Sequence, residues 1–181
     1  MVLVREATTA DAAGIAAVQV RGWLATYRGL MPDAFLAEQN VEEATTRVTQ
    51  SLTARRGDVL VATTGDRTVV GFCWMTRARD ADLSEDVVEI VAIYVDPNHF
   101  RQGLGRELAS AACALAVRQQ GRRVVLWVFR ENAGARAFYA AQGFSEDGTR
   151  KTTSRWGGVP LEEVRYAREL VIPVASGLTH R

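Results

Sequence analysis

The chain has 181 residues, enough for one domain that buries a sizeable apolar core without a disulfide or a metal. It carries 22 Lys and Arg residues against 21 Asp and Glu residues, with no long run of one sign. This near-neutral balance lacks the basic surface typical of proteins that bind nucleic acid or membrane surfaces, and it fits a small-molecule ligand better.

The cysteines and histidines argue against a redox or metal site. Cys73 and Cys113 lie in apolar segments, and His99 and His180 are far apart in the sequence. Neither spacing matches a set of metal ligands. The N-terminal residues "MVLVREATTADAA" contain no apolar run of signal-peptide length, and no stretch of the sequence approaches the ~20 apolar residues of a membrane span. We therefore expect buried thiols, no metal, no nucleic-acid or membrane partner, and a cytoplasmic protein.

The N-terminal segment predicts a short strand and a helix. Residues 2–4 form the strand, and the helix follows through "TTADAAGIAAVQVRGW", where Thr8 and Asp11 have the spacing of a capping box. A proline interrupts the next segment, residues 27–35. We expect a loop or a broken helix there.

The sequence next predicts a helix and a hairpin. The helix covers about residues 42–55. Residues 59–63 and 69–75 are apolar and β-branched, and the turn residues Gly65 and Asp66 lie between them. This pattern predicts two antiparallel strands joined by a short turn.

Two almost continuously apolar runs, residues 87–95 and 124–129, predict strands that are covered on both faces. Between them, residues 104–119 have a helical pattern that stops at Gly121. A connection of this length suits a crossover between parallel strands. We therefore expect these two strands to form a parallel pair at the centre of the sheet.

The C-terminal part predicts one more helix and two closing strands. Asn132 is a suitable cap for the helix "NAGARAFYAAQG", and Gly143 suits a left-handed C-cap. "FSEDGTR" and "LEEVRYAREL" have the character of strands. The whole pattern predicts an α/β chain whose mixed, mostly antiparallel sheet has helices on both faces.

No repeat, low-complexity tract or linker divides the chain. We therefore expect residues 1–172 to form a single domain and residues 173–181 to form an unpacked tail.

The stretch "RQGLGREL" places Gly103 and Gly105 at a junction between a strand and a helix. A helix N-terminus offers unpaired amides and about half a positive charge, and glycines let an anion approach the backbone. The third glycine of a dinucleotide fingerprint is absent, and so is the lysine of a P-loop. A phosphate site and a simple capping or close-packing role both remain open for the two glycines.

Two blocks, "EIVAIYVDPNHFRQGLGREL" and "LWVFRENAGARAFYAAQGF", resemble the GNAT superfamily of acyl-coenzyme A-dependent N-acetyltransferases. The second block follows the family pattern N-x-x-A-x-x-F-Y-x-x-x-G-F from Asn132 to Phe144. The resemblance implies the GNAT fold, in which the central parallel strands splay at the cofactor. It also implies transfer of an acetyl group from acetyl-CoA to an amine in a ternary complex. A non-catalytic acyl-CoA-binding module, acting as a sensor or regulator, is the alternative.

In the family, the first block binds the pyrophosphate of coenzyme A and the second flanks the thioester. Phe100 stands where the family usually has Gln or Arg, so the first phosphate contact would come from backbone alone. Backbone amides at the end of the preceding strand would face the pantetheine arm and the thioester oxygen. The cofactor-binding residues that the resemblance implies are Ile93, Tyr94, Val95, Arg101, Gln102, Gly103, Leu104, Gly105, Arg106 and Asn132.

The family assigns the role of general acid to the tyrosine that corresponds to Tyr139. Tyr139 lies seven residues after Asn132, so on an ideal helix the two side chains are about 20° apart and can face one extended cofactor. A phenol with a pKa of about 10 can donate a proton to a thiolate. Tyr139 could instead be a core aromatic residue. Neither cysteine has a neighbour that would activate it, so we expect direct attack without an acyl-enzyme.

Glu89 is a single carboxylate among apolar neighbours, which is costly unless it is paired, hydrated or functional. It lies fourteen residues before Gly103, the spacing of a glutamate in the histone-modifying branch of the family. Burial would raise the pKa of this carboxyl towards a value useful for a general base. The alternatives are a catalytic base, with or without a bridging water, and a structural glutamate bonded to neighbouring strands.

The resemblance also implies that two segments cover the acceptor side of the cleft, the loop after the first helix and "SRWGGVPLEE". The candidate substrate-binding residues are Trp23, Tyr27, Arg28 and Trp156, each of which could instead serve packing. The acceptor would be a small-molecule or peptide amine, whose identity the sequence does not predict. Family members are often dimers, so a homodimer fits the resemblance.

Overall fold

The computed structural model describes residues 2–171 and contains a seven-stranded mixed sheet. The strands are β1 (Leu3–Glu6), β2 (Asp58–Thr63), β3 (Val69–Arg77), β4 (Val87–Val95), β5 (Arg123–Phe129), β6 (Ser145–Thr153) and β7 (Leu161–Glu169). Their order across the sheet is β1-β2-β3-β4-β5-β7-β6, and the pairs are antiparallel except for β4 with β5. The tail expected at residues 173–181 lies outside the described residues.

The described residues also form five α-helices. These are α1 (Ala12–Thr26), α2 (Asp33–Ala37), α3 (Val41–Thr53), α4 (Leu104–Arg118) and α5 (Ala133–Ala141). The sequence did not predict α2 as a separate helix. Pro32 stands directly before this helix, a position where its missing N–H breaks no helical hydrogen bond. The predicted capping interaction before α1 is present, since the Asp11 carboxylate accepts from the Thr8 N–H at 2.7 Å.

Helices cover both faces of the sheet, as predicted. On one face α4 packs Leu108 and Ala112 against a large apolar cluster from β2 to β7. On the other face α1 and α3 cover β2 and β3, with Ile15, Val48 and Phe72 in their interface. The mixed α/β fold class expected from the sequence is therefore confirmed.

The parallel strands at the centre of the sheet separate along their length. β4 pairs with β5 from Val87 to Ile90, yet β4 continues to Val95 and β5 continues to Phe129. An extra residue in β4, Val91, is accommodated where the register with β3 shifts. The result is a wedge between the ends of β4 and β5, as the resemblance implied.

Candidate active site

The start of α4 closes one end of the wedge. Gly103 is the N-cap of this helix with φ +83°, and no side chain caps the first turn. The N–H groups of Leu104, Gly105 and Arg106 therefore lack partners within the helix. Such a helix start attracts an anion such as a phosphate.

The two glycines of this loop serve different needs. At Gly103 the left-handed backbone conformation favours glycine, not a lack of space. A Cβ there would meet little except the Arg106 side chain at 3.7 Å. Gly105 has ordinary dihedral angles, but a Cβ there would lie 3.1 Å from the Phe138 ring. The close-packing alternative thus holds for Gly105, while Gly103 shapes the backbone that presents the amides.

Side chains around this loop are directed to solvent. Phe100 is 46% exposed, and Arg101, Gln102 and Arg106 are exposed as well. Arg101 adopts φ +63°, a conformation that favours glycine. The amides of the loop, rather than a buried side chain, therefore dominate the surface that an anion would meet here.

The end of β4 presents backbone amides to the wedge. Asp96 donates its N–H to the Val70 carbonyl at 2.8 Å. Backbone N–H groups point alternately to the two sides of a strand, so the N–H groups of every second residue before Asp96 also point to β3. By this alternation Ile93 and Val95 direct their N–H groups towards β5, whereas the backbone of Tyr94 bonds to β3. Because β4 and β5 have already separated at this point, the amides of Ile93 and Val95 have no strand partner within the described chain.

Asn132 and Tyr139 lie at the start and towards the end of α5. The Asn132 Oδ1 accepts from the Ala135 N–H at 3.0 Å, which confirms the predicted cap. Gly143 has φ +80°, as its predicted C-cap position requires. Tyr139 is partly buried against the core cluster, and within residues 2–171 its hydroxyl has no hydrogen-bond partner. Burial raises the pKa of Tyr139 well above its usual range, so the phenol stays protonated.

Three of the four predicted acceptor-side residues come together in one aromatic cluster. Trp23 and Trp156 pack edge to face with ring centroids 5.0 Å apart, and Trp23 also contacts Tyr27 at 5.9 Å. Phe129, at the open end of β5, joins them through Tyr27 at 5.5 Å. Arg28 is exposed and instead lines a separate surface cavity beside Asp96.

Tyr94 belongs to the site through its side chain as well as its backbone. Its hydroxyl and the Tyr27 hydroxyl form a hydrogen bond of 2.9 Å. Burial raises the pKa of both phenols, so both remain protonated at neutral pH. This pair links the end of α1 to the wedge.

Glu89 is buried, with 4% of its surface exposed, and it is paired. Its Oε2 accepts from Arg79 Nε at 3.0 Å and its Oε1 accepts from Arg79 Nη2 at 2.7 Å. Both carboxylate oxygens are therefore engaged by one guanidinium group. Arg79 comes from the segment between β3 and β4, which the sequence analysis did not assign to the site.

A second buried carboxylate, Glu163, ends the segment "SRWGGVPLEE", but the sequence analysis did not single it out. Glu163 is 4% exposed and lies on β7 directly opposite Phe129 of β5. Its nearest cations are Lys151 Nζ at 3.7 Å and Arg155 Nη2 at 4.0 Å, and its Oε2 has no hydrogen-bond partner among the described residues. Burial raises the pKa of Glu163 despite these two cations. The alternation of "LEEVRYARE" places Glu163 on one face with Leu161, the signal that could have revealed it.

The part of the chain that the structure describes contains no group of three or more side chains suited to hold a metal ion. Over the same residues, no helix combines the length and the apolar character that crossing a membrane requires.

Comparison with known proteins identifies the class to which this fold and site belong. A sequence model described as the acetyltransferase (GNAT) family matches residues 23–144. The chain is 31% identical over 162 residues to the uncharacterised N-acetyltransferase Rv2669 of Mycobacterium tuberculosis, covering 89% of this chain and 99% of that protein. It is 30% identical over 165 residues to the uncharacterised N-acetyltransferase YuaI of Bacillus subtilis, covering 91% of each. The chain belongs to the GNAT family and is an N-acetyltransferase of that type.

Solved structures share the same fold. The N-acetyltransferase PaiA of Thermoplasma acidophilum, in complex with coenzyme A, superposes with a TM-score of 0.71 at 18% identity, over 93% of this chain and 99% of that one. YncA of Salmonella typhimurium, solved with its cofactor acetyl-CoA, gives a TM-score of 0.70 at 20% identity, over 98% and 99%. These similarities confirm the fold that the sequence implied.

Proposed function

We propose that this protein transfers an acetyl group from acetyl-CoA to an amine acceptor by direct attack in a ternary complex, with Tyr139 as general acid. The observation that carries the proposal is the wedge between β4 and β5. Within residues 2–171, the start of α4 at one end of it has no side-chain cap, the strand amides along it have no strand partner, and the phenol of Tyr139 beside it has no hydrogen-bond partner. Family membership and the complexes of PaiA and YncA support the choice of cosubstrate.

The residues present fit coenzyme A. The amides of the Gly103–Arg106 turn would hold the pyrophosphate, and Arg101 and Arg106 would add charge at the surface. The amides of Ile93 and Val95 would bond to the pantetheine arm and to the thioester oxygen. Gln102 and Asn132 would add side-chain contacts, although the Oδ1 of Asn132 is already used as a helix cap. The cosubstrate supplies the activated acetyl group.

The roles of acid and nucleophile follow from the state of the ionisable side chains. Tyr139 is held protonated, so it has a proton to give to the departing sulfur. A thiolate that leaves at the same buried site is more basic than in water, which favours proton transfer from Tyr139 to the sulfur. Burial also raises the pKa of Cys73 and of Cys113, so neither thiol is activated as a nucleophile. This supports direct attack by the amine.

For Glu89 the contacts favour the structural alternative. A general base must reach the acceptor nitrogen or a water beside it, whereas both oxygens of Glu89 accept from Arg79. We therefore propose that Glu89 anchors the segment between β3 and β4. Trp23, Tyr27 and Trp156 remain the proposed walls of the acceptor side.

Release of free thiol from acetyl-CoA, measured across a panel of amines, tests the proposed transfer. The panel should include a polyamine, an aminoglycoside, an amino acid, a peptide with a free N-terminus and a peptide with an internal lysine. We expect turnover of at least one member, and acetyl-CoA should raise the melting temperature. Stabilisation by acetyl-CoA without turnover of any amine would instead support the non-catalytic binding module.

Tyr139→Phe tests the general acid. With the amine that reacts fastest, we expect kcat to fall about 100-fold or more while the affinity for acetyl-CoA stays within a few fold, because the proton is needed only as the sulfur departs. Phe138→Leu, at the neighbouring aromatic position without a hydroxyl, is the control and should lower kcat far less. An unchanged kcat for Tyr139→Phe, with chemistry rate-limiting, would refute the role.

A further inference from the structure

Glu163 lies next to the aromatic cluster of Trp23, Tyr27, Phe129 and Trp156, on the proposed acceptor side of the sheet. Its cross-strand neighbour Phe129 belongs to that cluster, and Leu161, two residues before Glu163 on the same face, packs against it. The Phe129 and Tyr27 ring centroids are 5.5 Å apart, and the Tyr27 hydroxyl is hydrogen-bonded to that of Tyr94 near the end of β4. A chain of contacts thus runs from Glu163 to the wedge between β4 and β5.

The two cations nearest to Glu163 are held by aromatic rings. Lys151 Nζ lies 3.6 Å from the centroid of the Trp127 ring, and Arg155 Cζ lies 4.3 Å from the centroid of the Trp156 ring. Both groups also form ion pairs with Glu163, Lys151 Nζ with Oε2 at 3.7 Å and Arg155 Nη2 with Oε1 at 4.0 Å, distances longer than a hydrogen bond. Within residues 2–171 the buried Oε2 of Glu163 thus has an ion-pair partner but no hydrogen-bond donor.

A buried carboxylate with an open oxygen is costly, and such groups cluster at functional sites. Hydrogen bonds from an ammonium or amine group would satisfy it. Among residues 2–171 no donor lies within hydrogen-bond distance of Oε2, and the amine substrate of an N-acetyltransferase carries such a donor.

We propose that Glu163 binds the amino group of the acceptor through its Oε2 and acts as the general base of the reaction. The inference rests on the proposed function and adds the residue that receives the substrate. It assigns to β7 a role that the sequence analysis left to Glu89 or a water.

The acceptor enters as an ammonium ion, and one of its protons moves to Glu163 Oε2 and from there to solvent. The freed nitrogen lone pair forms the new C–N bond as the C–S bond breaks. Tyr139 gives its proton to the sulfur, and the second proton lost by the nitrogen restores the phenol. The products are the acetylated amine, coenzyme A as the thiol, and one proton in solvent.

The first test compares Glu163→Gln with Glu162→Gln. Glu162 precedes Glu163 on β7 and pairs with Arg130 and Arg150 outside the site, so it is a matched control. With the fastest amine of the panel, we expect kcat/KM at neutral pH to fall about 100-fold or more in Glu163→Gln and to stay within about threefold in Glu162→Gln.

The pH profile separates a base from a residue that only shapes the pocket. The groups that face Glu163 are Lys151 from β6, Arg155 after it, Glu89 from β4 and Tyr27 from the end of α1. In Glu163→Gln we expect activity to recover only as pH approaches the pKa of the amine itself, because that variant needs an acceptor that is already neutral. A Glu163→Gln profile parallel to that of the wild type would overturn the proposal.

The second test needs no turnover. The panel is added to protein whose glutamate carboxyl carbons carry a 13C label, and the resonance missing in Glu163→Gln identifies Glu163. We expect this resonance to shift with at least one amine while that of Glu162 does not. A shift without thiol release would refute the proposed transfer and support the ammonium site. Thiol release with no shift would overturn the ammonium site and leave the transfer standing.

Discussion

Two buried charges lie two residues apart on the same face of β7, and their surroundings differ. Arg165 is 3% exposed and donates to Asp80, Asp82, Asp147 and the Thr149 hydroxyl. Glu163 is equally buried, but its nearest cations lie at 3.7 and 4.0 Å. All three guanidinium nitrogens of Arg165 are hydrogen-bonded, whereas within residues 2–171 the Oε2 of Glu163 has an ion pair but no hydrogen bond.

The difference shows how a buried charge can be assigned to structure or to function. A fully bonded charge repays its desolvation through its partners, so it needs no ligand. A buried charge with an open oxygen makes the folded state less stable than it could be, which is typical of a site that binds something. Glu89 resembles Arg165, because both of its oxygens accept hydrogen bonds from Arg79.

We expect the largest effect on stability from a substitution that removes the hydrogen bonds of Arg165. Arg165→Met would remove the bidentate partner of Asp82 and the closest cation of Asp147, and we expect the free energy of unfolding to fall by about 3–5 kcal/mol. Glu163→Gln should leave the free energy of unfolding unchanged or raise it, because it removes a desolvated charge. Urea unfolding of both variants measures the contrast. A large loss in Glu163→Gln would mean that this charge is as well bonded as Arg165.

A smaller effect is expected at Glu89, whose partner is more accessible. Arg79 is 59% exposed, so it can turn to solvent when the ion pair is lost. We expect Glu89→Gln to lower the free energy of unfolding by about 1 kcal/mol. If Glu89 is structural, the pH profile of activity keeps its wild-type shape. If Glu89→Gln lost the acidic limb of the pH profile of activity, Glu89 would be the general base and would not differ in role from Glu163.

The smallest effect is a change in how stability depends on pH. The folded pKa of Glu163 is raised, so the native protein binds more protons than the unfolded chain between the ordinary and the raised value. The contribution of Glu163 to stability therefore falls as pH rises through that window. We expect Glu163→Gln to gain stability relative to the wild type over the same window, as thermal unfolding at a series of pH values would show. A constant difference between the two would contradict the raised pKa.

The sequence predicted the scaffold well because local patterns determine it. The apolar runs of β4 and β5, the helix between them and the caps at Asn132 and Gly143 are all confirmed. Each depends on residues a few positions apart. The short helix α2 was missed because Pro32 was taken as an interruption, although a proline can equally precede a helix.

The site was only partly predictable, because its members come from distant segments. Trp23, Tyr27 and Trp156 were predicted one by one and do meet, whereas Arg28 lies apart from them. Lys151 was not considered, and Glu163 was not singled out although it ends the segment "SRWGGVPLEE" that was expected on the acceptor side. Only the cross-strand pairing with β5 and the covering aromatic cluster bury Glu163.

The sequence by itself determined the order of strands and helices, the glycine-capped helix start and membership in the family, because these follow from periodicity, caps and short motifs. The tertiary structure alone decided which buried carboxylate is hydrogen-bonded to its cation. This depends on distances between residues far apart in the chain: Arg79 reaches Glu89 with two hydrogen bonds, while Lys151 and Arg155, which stack on aromatic rings, lie 3.7 and 4.0 Å from Glu163.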